Sequence, residues 1–108
     1  MVLRISRGKF APGKFDEIAA RLKQSGETLI PAIRQLPGVL DYYAAIDQAS
    51  ATMVNVSVWD TLAHAQQMSS LAPMLALAQE FQSAGVEFGR PIINYEMVWQ
   101  FGTTENGA

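Results

Sequence analysis

The chain predicts an α+β fold of the ferredoxin-like βαββαβ sandwich type, and three observations carry that prediction. Four segments, Val2 to Phe10, Val39 to Ile46, Thr52 to Trp59 and Ile92 to Phe101, read as strands, with apolar and polar residues alternating most clearly in the first and third. Between the first and second, and between the third and fourth, apolar residues recur at helical spacing. Only the polar Asp47 to Ala51 turn separates the two middle segments, too short for a crossover, so they form an antiparallel hairpin.

The first strand sets Leu3 and Ile5 against Arg4 and Ser6, and the Ala11-Pro12-Gly13 turn leads into Phe15, Ile18, Ala19 and Leu22 on one helical face. Ser25-Gly26 weakens that helix, and a further segment through Leu29, Ile30 and Ile33 ends at Pro37-Gly38, so a broken helix is expected here. After the hairpin, Asp60 or Thr61 can cap the next helix by accepting from its free amides. Pro73 marks the first turn of a second segment beginning near Ser70, in which Leu71, Met74, Leu75, Ala78 and Phe81 form a stripe and Gly85 supplies the stop.

With 108 residues, 49% of them hydrophobic, the chain makes one domain over residues 1–101, followed by a flexible tail over 102–108. A formal net charge of −2 without any basic run argues against nucleic acid and against an anionic membrane surface as partners. The absence of cysteine excludes disulfides and thiolate chemistry, and a single histidine without clustered carboxylates gives no expected metal site. The opening MVLRISRGKF interrupts its apolar residues with arginines and reads as neither signal peptide nor membrane span; a cytoplasmic protein is the expectation. No Gly-rich phosphate loop or nucleophile elbow is present, which argues against kinases, dinucleotide oxidoreductases and serine hydrolases. Helices can cover only one face of the predicted sheet, so a homodimer that packs two sheets together is expected to cover the other.

The stretch Thr52 to His64 is the most informative part of the chain. Met53, Asn55, Ser57 and Trp59 share one strand face, while Val54, Val56 and Val58 share the other. An amide, a hydroxyl and an indole among apolar atoms make up the lining of a small-molecule pocket better than that of a filled core.

The element order, the Leu36-Pro37-Gly38 at the end of the first helix, the strand ending in Trp59 and the Ala63-bearing helix after it resemble the antibiotic biosynthesis monooxygenase family of dimeric α/β-barrels, over Val2 to Trp99. One branch of that family oxidises polycyclic phenolic substrates with dioxygen and without a cofactor, and lines its pocket with an Asn and a Trp that match the spacing of Asn55 and Trp59. The resemblance implies an aromatic ligand, no cofactor, and an Asn amide or indole N–H that stabilises developing oxyanion charge in a dry pocket. The branch also uses a Tyr soon after the Trp, and here no Tyr lies between Trp59 and Tyr95. The haem-degrading branch has an Asn on the first strand and a His about ten residues after the Trp; this chain has Arg4, Ser6 and Arg7 on that strand and Ser69 at that distance.

His64, early in the second helical region, completes the candidate catalytic set with Asn55 and Trp59, as the one base whose ordinary pKa lies near neutrality. Tyr42 and Tyr43 face opposite ways, so only one lines the helix-side pocket. We assign Tyr43, Tyr95, Met68 and Met74 to the candidate substrate-binding set, although the pattern leaves open which face of the last strand meets the pocket. Glu96 on that strand is expected to pair with Arg4 rather than to serve as a base. The resulting expectation is a cofactor-independent monooxygenase acting on an aromatic small molecule, with a non-catalytic ligand-binding or assembly barrel as the alternative.

Overall fold

A computed structural model describes residues 1–102; the rest of the expected tail lies outside the described residues. Five strands, β1 (Val2–Lys9), β2 (Val39–Asp47), β3 (Thr52–Trp59), β4 (Glu87–Phe88) and β5 (Ile93–Glu96), form one sheet in the order β2-β3-β1-β4, and β5 also pairs with β1. All of these pairings are antiparallel, including the predicted β2–β3 hairpin. Its turn is tied by Asp47, whose carboxylate accepts from the Ser50 amide at 2.8 Å and the Ser50 hydroxyl at 2.6 Å. This is the predicted ferredoxin-like α+β architecture, with an open sheet in the single chain.

One helical layer covers the sheet. Helix α1 (Phe15–Arg34) is continuous where a broken helix was expected, and it passes through both Gly26 and Pro31. Its buried positions, Ile18, Leu22, Ser25, Leu29 and Ile33, explain why: they form one uninterrupted stripe on the sheet side. Ser25 belongs to that stripe and satisfies its hydroxyl by donating to the Leu22 carbonyl at 2.6 Å. Pro31 is exposed, and packing of the flanking Leu29 and Ile33 outweighs its lost N–H.

The second helical region is broken as expected. A short α2 (Leu62–Ala65) and a 3-10 turn (Gln66–Ser70) precede α3 (Ala72–Ser83). Thr61 is the cap of α2, its side chain accepting from the His64 amide, and Gly85 ends the region with φ of 102°. The last strand is shorter than the sequence suggests. Pairing ends at Glu96, and Val98, Trp99 and Phe101 project almost fully exposed.

Beneath the helices the core is divided in two. Phe10, Ile18, Leu22, Met53, Phe81 and Val86 make one cluster, and Leu29, Ile33, Trp59, Ala65 and Met68 make the other. The opposite face of the sheet carries Leu3, Ile5, Val54, Val56, Val58, Ile93 and Tyr95, as the strand register requires; Val58 is buried, Leu3, Ile5, Val54 and Val56 are partly exposed, and Ile93 and Tyr95 are about half exposed.

Candidate functional site

The two core clusters leave a cavity of about 430 Å³ between them, on the helix side of the sheet. That volume lies in the range of small-molecule sites. Its floor comes from the sheet, with Arg4 and Ser6 of β1, Tyr42 of β2, Met53, Asn55 and Ser57 of β3, and Asn94 of β5. Its roof is largely apolar, built from Leu22 and Leu29 of α1, Met68 and Ser69 of the 3-10 turn, and Met74, Leu75, Leu77, Ala78 and Phe81 of α3. Phe88, Arg90, Pro91 and Ile92 form its remaining rim. The alternation of β3 thus delivers Asn55 into a mostly apolar chamber.

Three polar groups define its chemistry. The Tyr42 hydroxyl donates to Asn55 Oδ1 at 3.0 Å, which occupies the acceptor end of the amide and leaves its N–H groups for a ligand. Burial pushes the Tyr42 hydroxyl up to about 12, against the opposing pull of Arg4, so the phenol stays a neutral donor at physiological pH. Arg4 is only 8% exposed, and its one side-chain partner among the described residues is Ser69 Oγ at 3.4 Å. Burial first, and then the positive charge of Arg90, press its guanidinium below the ordinary value. The third group is Asn94, whose buried Oδ1 has no hydrogen-bond donor.

Of the sequence-selected residues, Asn55, Met68 and Met74 line the cavity, and four do not. Trp59 is completely buried in the second core cluster, packed where β3 meets the end of α1, and its indole N–H donates to Ser57 Oγ at 2.8 Å. It therefore presents neither a stacking face nor a free donor to a ligand. His64 sits at the N-terminal end of the second helical region, with Nδ1 2.7 Å from Asp60 Oδ1. That bond lowers the Asp60 pKa, and the pair packs over Gly38, whose φ of 84° and lack of Cβ admit both side chains. Tyr43 and Tyr95 lie on the outer sheet face, half exposed; the pocket-facing member of the tyrosine pair is Tyr42. Glu96 is exposed and the expected pair with Arg4 does not form, because Arg4 reaches to Ser69 instead. Strand parity held the signal for Arg4 and Asn94: Arg4 pairs with Ser57 on one side and with Asn94 on the other, so all three face the cavity with Asn55.

No protein-family model matches the chain, and no curated protein matches it. Solved structures do. A Deinococcus radiodurans protein provisionally described as an antibiotic biosynthesis monooxygenase superposes with a TM-score of 0.71 at 21% identity, covering 95% of this chain and 98% of that one. The chain has the antibiotic biosynthesis monooxygenase fold. A second structure described as an antibiotic biosynthesis monooxygenase gives a TM-score of 0.66 at 18% identity over 91% of this chain and 99% of that one. SnoaB of Streptomyces nogalater, a cofactor-independent oxygenase seen as an asparagine-to-alanine variant, gives 0.60 at 14% identity over 94% of this chain and 97% of that one. Among the described residues no group of three or more His, Cys, Asp or Glu is placed to hold a metal ion, and no helix is long and apolar enough to cross a membrane.

Proposed function

We propose that the chain is a cofactor-independent oxygenase that binds an aromatic small molecule in the cavity between sheet and helices. The observation that carries this reading is the Asn55 amide, fixed by Tyr42 and turned into an apolar chamber of ligand size. An electron-rich enolate or phenolate held there reduces dioxygen directly: carbon–oxygen bond formation gives a peroxide anion, which takes a proton and loses water to leave a carbonyl. The chain supplies orientation, dryness and donors. Asn55 N–H groups stabilise the substrate oxyanion in the positive field of Arg4, and the apolar roof covers the substrate. Among the described residues no carboxylate or imidazole lines the cavity, and Tyr42 holds its proton. The substrate must therefore be acidic enough to ionise in the field of Arg4 and Arg90.

We further propose that the outer sheet face meets the same face of a second copy, closing the α/β-barrel as a homodimer. The contiguous apolar side chains on that face support this. The missing base favours a second reading, a barrel that sequesters its ligand without turnover. Oxygen uptake with a panel of anthrone-like and quinol substrates, in chelator and without added flavin or metal, separates the two. Turnover supports the oxygenase, and saturable binding without uptake supports the sequestering barrel.

A further inference from the structure

We propose that the cavity selects an aromatic carboxylate, whose charged group pairs with Arg4 and whose hydroxyl substituent donates to Asn94 Oδ1. This rests on the reading of the cavity as a ligand site and names the ligand class for it.

Among the described residues, Arg4 is a buried cation without an acid. A guanidinium offers five N–H donors in a planar fork, and only one contact, the 3.4 Å approach to Ser69, is made in the structure. Buried charges are as a rule paired, yet among the described residues the cavity wall contains Arg4 and Arg90 and no Asp or Glu. Within a chain of formal net charge −2, that local excess of positive charge is not a reflection of overall composition. Asn94 stands directly opposite Arg4 in the β1–β5 register, and its Oδ1 is a buried acceptor with no donor. Adjacent strands thus present one unfilled donor set and one unfilled acceptor to the same chamber. The complement is a ligand that brings an anionic acceptor and a hydroxyl donor together. A carboxylate matches the guanidinium fork through two parallel hydrogen bonds, and its single charge matches the one buried cation. The apolar roof of Leu29, Met68 and Phe81 faces the aromatic body.

The test is equilibrium binding to the full chain, followed by fluorescence titration and calorimetry, with a hydroxynaphthoate, its methyl ester, the naphthoate lacking the hydroxyl, and naphthyl phosphate. The hydroxynaphthoate is expected to bind at least tenfold tighter than its ester and several-fold tighter than the naphthoate. Arg4→Met should erase the preference for acid over ester, and Asn94→Ala should erase only the preference for the hydroxyl. Because the ester comparison is made in the unaltered chain, it stands even where a variant fails to fold. Equal affinity for acid and ester overturns the proposal while leaving the cavity a ligand site. Tighter binding of the phosphate, or an acid preference that survives Arg4→Met, also overturns it. Failure of every probe to bind overturns both the proposal and the ligand-site reading.

Discussion

The Tyr42 hydroxyl donates to Asn55 Oδ1 across the β2–β3 pair, and that single bond fixes which end of the Asn55 amide is the engaged acceptor. Tyr42→Phe should leave the fold intact at a stability loss of about 0.5–1.5 kcal/mol, the usual net worth of one such bond, measured by urea unfolding. It should also weaken turnover, since the freed amide no longer holds one orientation.

The same tyrosine gives a pH prediction. Its folded-state pKa is raised to about 12, above the ordinary value near 10, so the folded chain keeps a proton that the unfolded chain has released. Its contribution to stability is complete below the unfolded value and is lost as pH rises from there through about 12. Ultraviolet titration should show a late-ionising phenol, and Tyr42→Phe should remove that late phase.

Trp59 and Asn55 should separate structure from function. Trp59→Ala empties a fully buried position and is expected to cost about 3–5 kcal/mol in unfolding experiments. Ser57→Ala, which strips the buried indole N–H of its acceptor, should cost about 1–3 kcal/mol. Asn55→Ala, which leaves the Tyr42 hydroxyl without its acceptor, should cost about 1–3 kcal/mol, less than Trp59→Ala, while acting on the ligand.

Much of this was legible in the chain. Alternation in Val2–Lys9 and Thr52–Trp59, the five-residue turn and the capping signal at Thr61 located the sheet, the hairpin and the second helix start. Parity on β3 correctly put Met53, Asn55, Ser57 and Trp59 on one face. What parity could not tell was depth along the strand: Trp59 lies at the end where α1 and α2 close over it, and Asn55 in the middle where the helices stand off. The break expected at Ser25-Gly26 failed because the buried stripe runs through Ser25, and tertiary packing overrides local propensity. Tyr42 and Tyr43 are adjacent residues of one type, so the chain gives no sign of which faces inward, and the expected Tyr43 is on the outer face. The short β4 carries too few residues for any periodicity.

Haemin offers a negative control for the chemistry. The first strand, where the family resemblance places a haem-holding Asn, carries Arg4, Ser6 and Arg7, and the helix position that it gives to a His carries Ser69. Titration with haemin should give no saturable Soret shift, and a shift abolished by Arg4→Met or His64→Ala would contradict this.

Assembly follows from the outer sheet face. Sedimentation at micromolar concentration should show a dimer, and Val56→Asp, which sets a charge in the middle of that face, should yield monomer or unfolded chain. A stable monomer of the unaltered chain would remove the closed barrel from the account.

The central claim is that Asn55 acts on a ligand inside the cavity, and oxygen uptake by Asn55→Ala tests it most directly. With an anthrone-like substrate, in chelator and without added cofactor, the account predicts a rate at least about tenfold below that of the unaltered chain, since one oriented donor at a developing oxyanion is worth that or more. His64→Ala, which alters a pair outside the cavity, should retain the full rate. Full activity in Asn55→Ala, or loss of activity in His64→Ala alone, would contradict it.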